Sequence, residues 1–452
     1  MEIIKSSLET FGYLFYLVNP SKHMFESLDQ VPDYIAKTTP FFFTFLILEQ
    51  LILFVKGWKR YRINDSLVSI AQGVLMEQSK LFLKSLIIVH YIYVHENLSI
   101  FQYENSIFTW IVTLLALDFI FYWFHRASHE INILWAFHQV HHSSEHFNLT
   151  TALRQSVFQV YLHCFCNIPL AMVISPPMYM VHLQLNVLYQ IWIHTEFVGK
   201  LGPLEWILNT PSAHRVHHGR NRYCIDRNYA GVLIIWDRIF GTYQAEREAV
   251  AYGLVHPIKS FDPLVIQSWN IRYIWNRLKS ASSVSEKLGI LFAGPGWSPG
   301  KPRLGLAEEI PEIDPIVERE RKYDPEIPIW LTIYVSVHFI IILILHAVMM
   351  EQQHDHQRIG LLGIFSNSIF VMVSIYVLSK LLEGGSISSG PEIGRCIMLF
   401  AIDPLGRYPI FSSNLQVIYF NRILKIFFLI SLLFWMAKIF KSIQFLRNKK
   451  LH

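Results

Sequence analysis

The chain has 452 residues, of which 52% are hydrophobic and 16% charged, with 39 basic against 34 acidic side chains. A soluble globule carries roughly 25% charged residues, and a mean hydropathy of +0.31 over this length excludes a disordered chain and argues against an ordinary soluble one. The net charge of +5 is too mild for a nucleic-acid binder and suits a membrane protein with one positive face.

In chain order, the N-terminus has an early lysine, Lys5, and a short apolar run over residues 14–18. No small-residue cleavage site follows, so no cleaved signal peptide is expected. Residues 41–55 are apolar but short and contain Glu49 and Gln50; residues 81–94 contain Lys84 and His90. Either is a marginal span or a buried helix. Residues 106–124 read as a strong span with one acid, Asp118. Residues 157–181 and 182–198 are further apolar stretches with polar insertions. From 199 to 328, glycine, proline and charge dominate, which reads as extramembrane. Residues 329–350, 361–382 and 423–440 approach the roughly 20 apolar residues that a bilayer requires of a helix. The expected fold class is therefore all-α, a polytopic membrane helical bundle. Its expected parts are residues 1–105 (membrane helices), 106–260 (the chemistry), 261–325 (a polar linker) and 326–452 (a C-terminal bundle).

The four cysteines, Cys164, Cys166, Cys224 and Cys396, form no CxxC and no spaced pairs, so neither a disulfide framework nor a zinc ribbon is expected. The histidines are different. Of 21 in the chain, 12 lie between His125 and His218, where even scatter gives about 4. His125-Arg-Ala-Ser-His129 places two imidazoles at i and i+4. His138-Gln-Val-His141-His142 and His214-Arg-Val-His217-His218 add the i+3 offset. On a helix these positions share a face, so each block aims two or three nitrogens at one place. The eight imidazoles His125, His129, His138, His141, His142, His214, His217 and His218 can hold two transition metals, and neutral imidazole suits iron, zinc, copper and nickel.

A zinc peptidase needs HExxH with the glutamate as base, and position 126 is Arg. Structural zinc favours four closed ligands, often including cysteine. A dinuclear redox site fits better. His125 directly follows the 106–124 span, so the site opens at the mouth of a membrane helix. Asp118, seven residues earlier, shares a helical face with His125 and is a candidate acceptor for an imidazole N–H. Glu130 is a candidate for the same role or for a salt bridge with Arg126. His194 is a candidate further ligand or hydrogen-bonding neighbour. His146, His163 and His182 read as core or supporting residues, and Asn228-Tyr229-Ala230-Gly231 as a turn that orders the third block from below.

These blocks, with the surrounding Phe121-Tyr-Trp-Phe-His-Arg126, Thr151-Ala-Leu-Arg-Gln-Ser156, Trp192-Ile-His-Thr-Glu196 and Gly294-Pro-Gly-Trp-Ser-Pro-Gly-Lys-Pro-Arg-Leu-Gly305, resemble the membrane fatty acid hydroxylase and sterol desaturase superfamily. The resemblance covers most of the chain and is strongest to the branch acting on glyceryl ethers. Ala213 departs from that pattern, which has a histidine there; the HxxHH block is unaffected. The resemblance implies an endoplasmic reticulum enzyme with a two-iron centre, tetrahydrobiopterin as reductant and O₂ as oxidant. It implies alkylglycerols and lyso-alkyl ether lipids as substrates, taken from the lipid bilayer, with no obligate protein partner. Two readings stand beside it: a sterol or fatty-acyl hydroxylase or desaturase, and a non-catalytic zinc-binding transporter or scaffold.

Arg215, Arg220, Arg222, Arg227 and Arg238 against Asp226 and Asp237 place the third block, and with it the dimetal site, on the cytosolic side. Lys449-Lys450 resembles a dilysine retrieval signal, which works on a cytosolic tail. Asn148-Leu-Thr150 matches a glycosylation sequon and is expected to be unmodified beside a cytosolic site; Asn97-Leu-Ser99 is usable only if luminal.

Overall fold

The computed structural model describes residues 2–55, 63–101, 104–352, 361–384, 389–402 and 415–449. They form two compact units, residues 1–258 with 266–323, and residues 259–265 with 324–452. Among the described residues the structure is helical, with only two isolated β-bridges, Leu208–Leu233 and Gly219–Tyr252. Among the described residues, five helical segments are long and apolar enough to cross a bilayer: Leu28–Val55, Ile107–Glu130, Ile329–Met350, Gly363–Leu382 and Arg422–Gln444. The chain is an integral membrane protein.

The helices of the first unit are, in order, α1 (Glu2–Tyr13), α2 (Tyr34–Val55), α3 (Ile63–Leu98), α4 (Ile107–Glu130), α5 (Asn132–His142), α6 (Gln159–Asn167), α7 (Pro176–Trp192), α8 (Pro211–His218), α9 (Ile235–Ile239), α10 (Pro263–Ser280), α11 (Val284–Phe292) and α12 (Pro315–Glu320). Helix α4 starts at Ser106, whose hydroxyl accepts the Thr109 N–H, and runs for 24 residues, about 36 Å at 1.5 Å per residue. That exceeds a hydrocarbon core of about 30 Å, so His129, in its last turn, lies beyond one apolar thickness from the start of the helix, and His125, a turn earlier, near its end. Ile131 is extended and ends it, and α5 begins at once.

The stretch 157–198 does not form two spans. Pro169 opens a 3₁₀ turn after the nine-residue α6, and Pro176-Pro177 start the 17-residue α7. Proline has no N–H to continue a helix and is accommodated in its first turn. Helix α7 packs its buried face against α4 and α1. Residues 81–94 lie inside the 36-residue α3.

The second unit comprises α13 (Ile329–Gln352), α14 (Leu361–Leu382), α15 (Ser389–Ile402) and α16 (Leu415–Lys449). Its core holds an ion pair whose side chains are fully buried, Arg395–Glu392. Arg395 Nε and Nη2 donate to the two carboxylate oxygens at 2.7 and 2.6 Å, and Nη2 also reaches His338 Nδ1 at 2.9 Å. His338 Nε2 meets Ser431 Oγ at 3.1 Å, and Tyr334 donates its hydroxyl to Glu392. The network joins α13, α15 and α16. Replacing Glu392 with Gln leaves a guanidinium uncompensated in a dry core, which costs about 3–5 kcal/mol. A melt of the detergent-solubilised protein should show it as a lowered transition; an unchanged melt would mean the pair contributes no net stability. The residues 450–452 of the C-terminal tail, and with them part of the Lys449-Lys450 pair, lie outside the described residues.

Candidate metal centre

The three histidine blocks converge. His125 and His129 come from the end of α4, His138, His141 and His142 from α5, and His214, His217 and His218 from α8. Helix α8 is set by Thr210, extended, before Pro211 at its first position, and it ends at Gly219. Inside the block Arg215 turns away. Its guanidinium grips Glu246 at 2.7 and 2.8 Å and donates through Nη1 to the carbonyls of Thr195 and Val198. It thereby clamps the loop that follows His194.

Nine buried histidines fall into two groups, His125, His129, His138, His142 and His217 in one, His141, His194, His214 and His218 in the other. Within each group one nitrogen per ring lies within 4.8 Å of the others. The groups abut: the His142 and His218 rings stack with centroids 4.4 Å apart. His194, from the turn after α7, stands among the donors of the second group rather than beside them. The sequence placed it only as a candidate, because no other histidine lies at helical spacing from it.

The hydrogen bonds fix which nitrogen faces inward. Nδ1 of His125 meets the carbonyl of Tyr229 at 2.7 Å, His141 that of Arg154 at 3.1 Å, His194 that of Gln190 at 2.7 Å, and His217 that of Arg227 at 2.9 Å. A carbonyl can only accept, so in each neutral ring Nδ1 carries the proton and Nε2 is a bare lone pair. Yet His141 Nε2 lies 3.2 Å from His194 Nε2, a contact between two lone pairs. Further Nε2–Nε2 approaches are His125–His138 at 2.9 Å, His142–His138 at 3.1 Å and His214–His194 at 2.9 Å. Nε2 of His129, His217 and His218 has no hydrogen-bond partner at all. A buried set of lone pairs facing one another is unfavourable until a cation sits among them, so the donor set fits metal.

The electrostatics agree. Burial, reinforced by neighbouring imidazoles, holds His138, His142, His194, His214, His217 and His218 well below the ordinary histidine range, and burial brings His141 down to about 4. These rings are neutral near pH 7, the form that ligates metal. The Gln159 carboxamide meets His138 Nδ1 at 2.8 Å while its Oε1 is otherwise unpartnered. A carboxamide can turn either end to a ring nitrogen; with Oε1 toward the ring, Gln159 accepts the Nδ1 proton and leaves His138 Nε2 free to ligate. Asp226 stands 3.6 Å from His129 Nδ1.

The expected Asp118–imidazole hydrogen bond does not form. The buried Asp118 carboxylate accepts from Val232 N, Leu233 N, Trp236 Nε1 and Asn186 Nδ2 at 2.9–3.1 Å. Its share in the site is indirect. With Asp237, which accepts the N–H groups of Tyr229 and Ala230, it holds the 229–233 turn whose carbonyl orients His125. Burial pushes the Asp237 carboxyl up to about 6. The turn packs tightly on α4: a Cβ at Gly231 would come 2.9 Å from the Phe121 ring and 3.0 Å from Asp118. Asn228 braces the turn against α8 by donating to the Ala213 carbonyl at 2.9 Å. Glu130 pairs with Arg126 at 2.8 Å and Arg303 at 3.0 Å and is hydrogen-bonded to no imidazole. His163 lies against Phe121 and Phe124, His182 bonds Tyr16 and packs on Trp110, and His146 lies near Lys322; none belongs to either donor group. The local arginine excess is matched in space by distant acids, Arg215 by Glu246, Arg220 by Glu318 and Arg222 by Glu312. Asn148, the first residue of the sequon, is buried and caps the turn beginning at Leu149.

A two-part histidine cage at the end of a long apolar helix fits the fatty acid hydroxylase class of membrane proteins, whose family model matches residues 110–242. The likeness extends further. The chain is 44% identical over 415 residues to the alkylglycerol monooxygenase of Homo sapiens, covering 90% of this chain and 92% of that protein. It is 49% identical over 339 residues to that of Xenopus tropicalis (75% of each chain) and 40% identical over 431 residues to that of Danio rerio (94% and 93%). The chain belongs to the alkylglycerol monooxygenase family. No solved structure matches it.

Proposed function

We propose that the chain is a two-iron, tetrahydrobiopterin-dependent monooxygenase. It cleaves the O-alkyl bond of alkylglycerols and lyso-alkyl ether lipids. The observation that carries the metal reading is the convergence of unprotonated Nε2 atoms. The close approaches between them are 2.9–3.2 Å, and one group offers five donors, more than the four of a closed structural zinc site. His125, His129, His138, His142 and His217 would hold one ion, and His141, His194, His214 and His218 the other.

Iron so held would supply oxygen activation, for hydroxylation of the carbon beside the ether oxygen. The product is a hemiacetal. Its collapse breaks the C–O bond to the glycerol and gives a fatty aldehyde and the glycerol product. The second oxygen atom leaves as water, with two electrons from the pterin. The protein's own part is placement. Backbone carbonyls lock the tautomers of four of the imidazoles, burial keeps the rings neutral, and the end of α4 sets the site where an alkyl chain can remain in the bilayer while its polar head meets water. No residue is assigned to the pterin. The hydroxylase chemistry lies in residues 106–260, in an endoplasmic reticulum membrane protein whose site and C-terminus face the cytosol.

The test is metal content and turnover of the purified protein. About two irons per chain and conversion of an alkylglycerol to fatty aldehyde only with tetrahydrobiopterin support the proposal. Turnover of a sterol or fatty acyl chain in its place would move the protein to the other branch of its superfamily. One tightly held zinc without O₂-dependent turnover would refute an oxygenase.

A further inference from the structure

The hairpin of α10 and α11 lies outside the metal centre and has an unusual surface. The face of α10 made by Ile266, Asn270 and Ile274 is buried, as is Ile290 of α11. The outward positions should then be polar, and several are instead apolar. On α11, Val284, Leu288 and Phe292 are 73%, 52% and 56% exposed; at i, i+4 and i+8 they form one apolar stripe. On α10, Trp275 is 58% exposed, and the Lys279 ammonium stands 5.1 Å from its ring. Arg272, Lys279 and Lys287 are also exposed.

The placement of the hairpin says what meets this surface. Asn132, two residues beyond the end of α4, is its anchor. The Asn132 N–H donates to the Ala293 carbonyl at 2.8 Å, its Nδ2 donates to the Ile290 carbonyl at 2.8 Å, and its Oδ1 accepts from Asn270 at 3.0 Å. Both helices are thus tied to the point where a membrane span ends. That depth is the boundary between acyl chains and headgroups, where tryptophan, exposed aliphatic side chains and lysine or arginine are stable together.

We propose that the α10–α11 hairpin lies in the membrane interface as a monotopic element. Val284, Leu288, Phe292 and Trp275 enter the upper acyl region, and Arg272, Lys279 and Lys287 meet phosphate groups of the phospholipids. The occupant of the surface is the bilayer that holds the spans. The hairpin therefore fixes the depth of α5, which carries three of the clustered histidines, relative to the headgroup plane.

The test uses the full chain carrying Cys166→Ser, since Cys166 is the exposed cysteine, with a single environment-sensitive fluorophore on Leu288→Cys, Phe292→Cys or Trp275→Cys. A control label replaces the exposed Glu308. Each protein is placed in phosphatidylcholine nanodiscs with and without phosphatidylserine. The expected result is blue-shifted emission at the three hairpin positions, quenched by a nitroxide near the headgroups more than by one at the chain ends. Aqueous iodide should quench them severalfold less than the control. Emission and iodide quenching equal to the control at all three positions would overturn the proposal. So would efficient disulfide cross-linking between two chains of the unlabelled Leu288→Cys variant, which would make a second copy the occupant. Three separate labels keep the test decisive if one variant fails to fold.

Discussion

Replacing His141 or His217 with alanine is expected to abolish turnover and lower the iron content while the protein still inserts into the membrane. Each residue belongs to a different donor group, and each has its Nδ1 proton committed to a carbonyl, of Arg154 and Arg227 respectively. Alanine removes a preoriented lone pair and leaves the other donors aimed at one ion with a ligand too few. Loss of a residue that merely supports a metal ligand costs roughly 10–100-fold, so loss of a donor should exceed about 100-fold. Insertion should survive because the apolar length of the spans is untouched. The measurements are iron per chain and the rate of aldehyde formation. Full activity in either variant would remove that histidine from the set of ligands.

His194→Ala should behave like those two variants and unlike His182→Ala. His194 Nε2 lies 3.2 Å from that of His141 and 2.9 Å from that of His214, which places it between two other donors of its group. A nearby hydrogen-bonding residue would have its loss show mainly in rate, with iron retained. A ligand would have iron and rate fall together, by about 100-fold or more in turnover. His182 bonds Tyr16 and packs on Trp110 away from both groups, so its alanine variant should keep its iron. A His194→Ala protein with full iron content would reduce the centre to the eight histidines of the three blocks.

Those three blocks were legible because their information is local. Offsets of three and four residues become one helical face wherever the helix goes. The strong span at 106–124, which the helix carries on to Glu130, followed from apolar length in the same way. The broken stretch at 157–198 was also within reach of the sequence, in Pro169 and Pro176-Pro177. For Asp118 the local spacing is not enough. Its spacing from His125 is right for a shared face, but the Val232, Leu233 and Trp236 donors that claim it are more than a hundred residues away. The arginines around the third block likewise find their acids, Glu246, Glu312 and Glu318, outside any local window.

By itself, then, the sequence determined that this is a helical membrane protein with imidazoles grouped to bind metal, because hydropathy over a span and helical periodicity are properties of adjacent residues. Only the tertiary structure decided that His194 joins the donors, that His141 parts from its neighbours His138 and His142, and which nitrogen of His125, His141, His194 and His217 faces inward. Those choices depend on backbone carbonyls at Tyr229, Arg154, Gln190 and Arg227. Every residue has a carbonyl, so no pattern of side chains announces which of them will meet an imidazole; the path of the folded chain sets it.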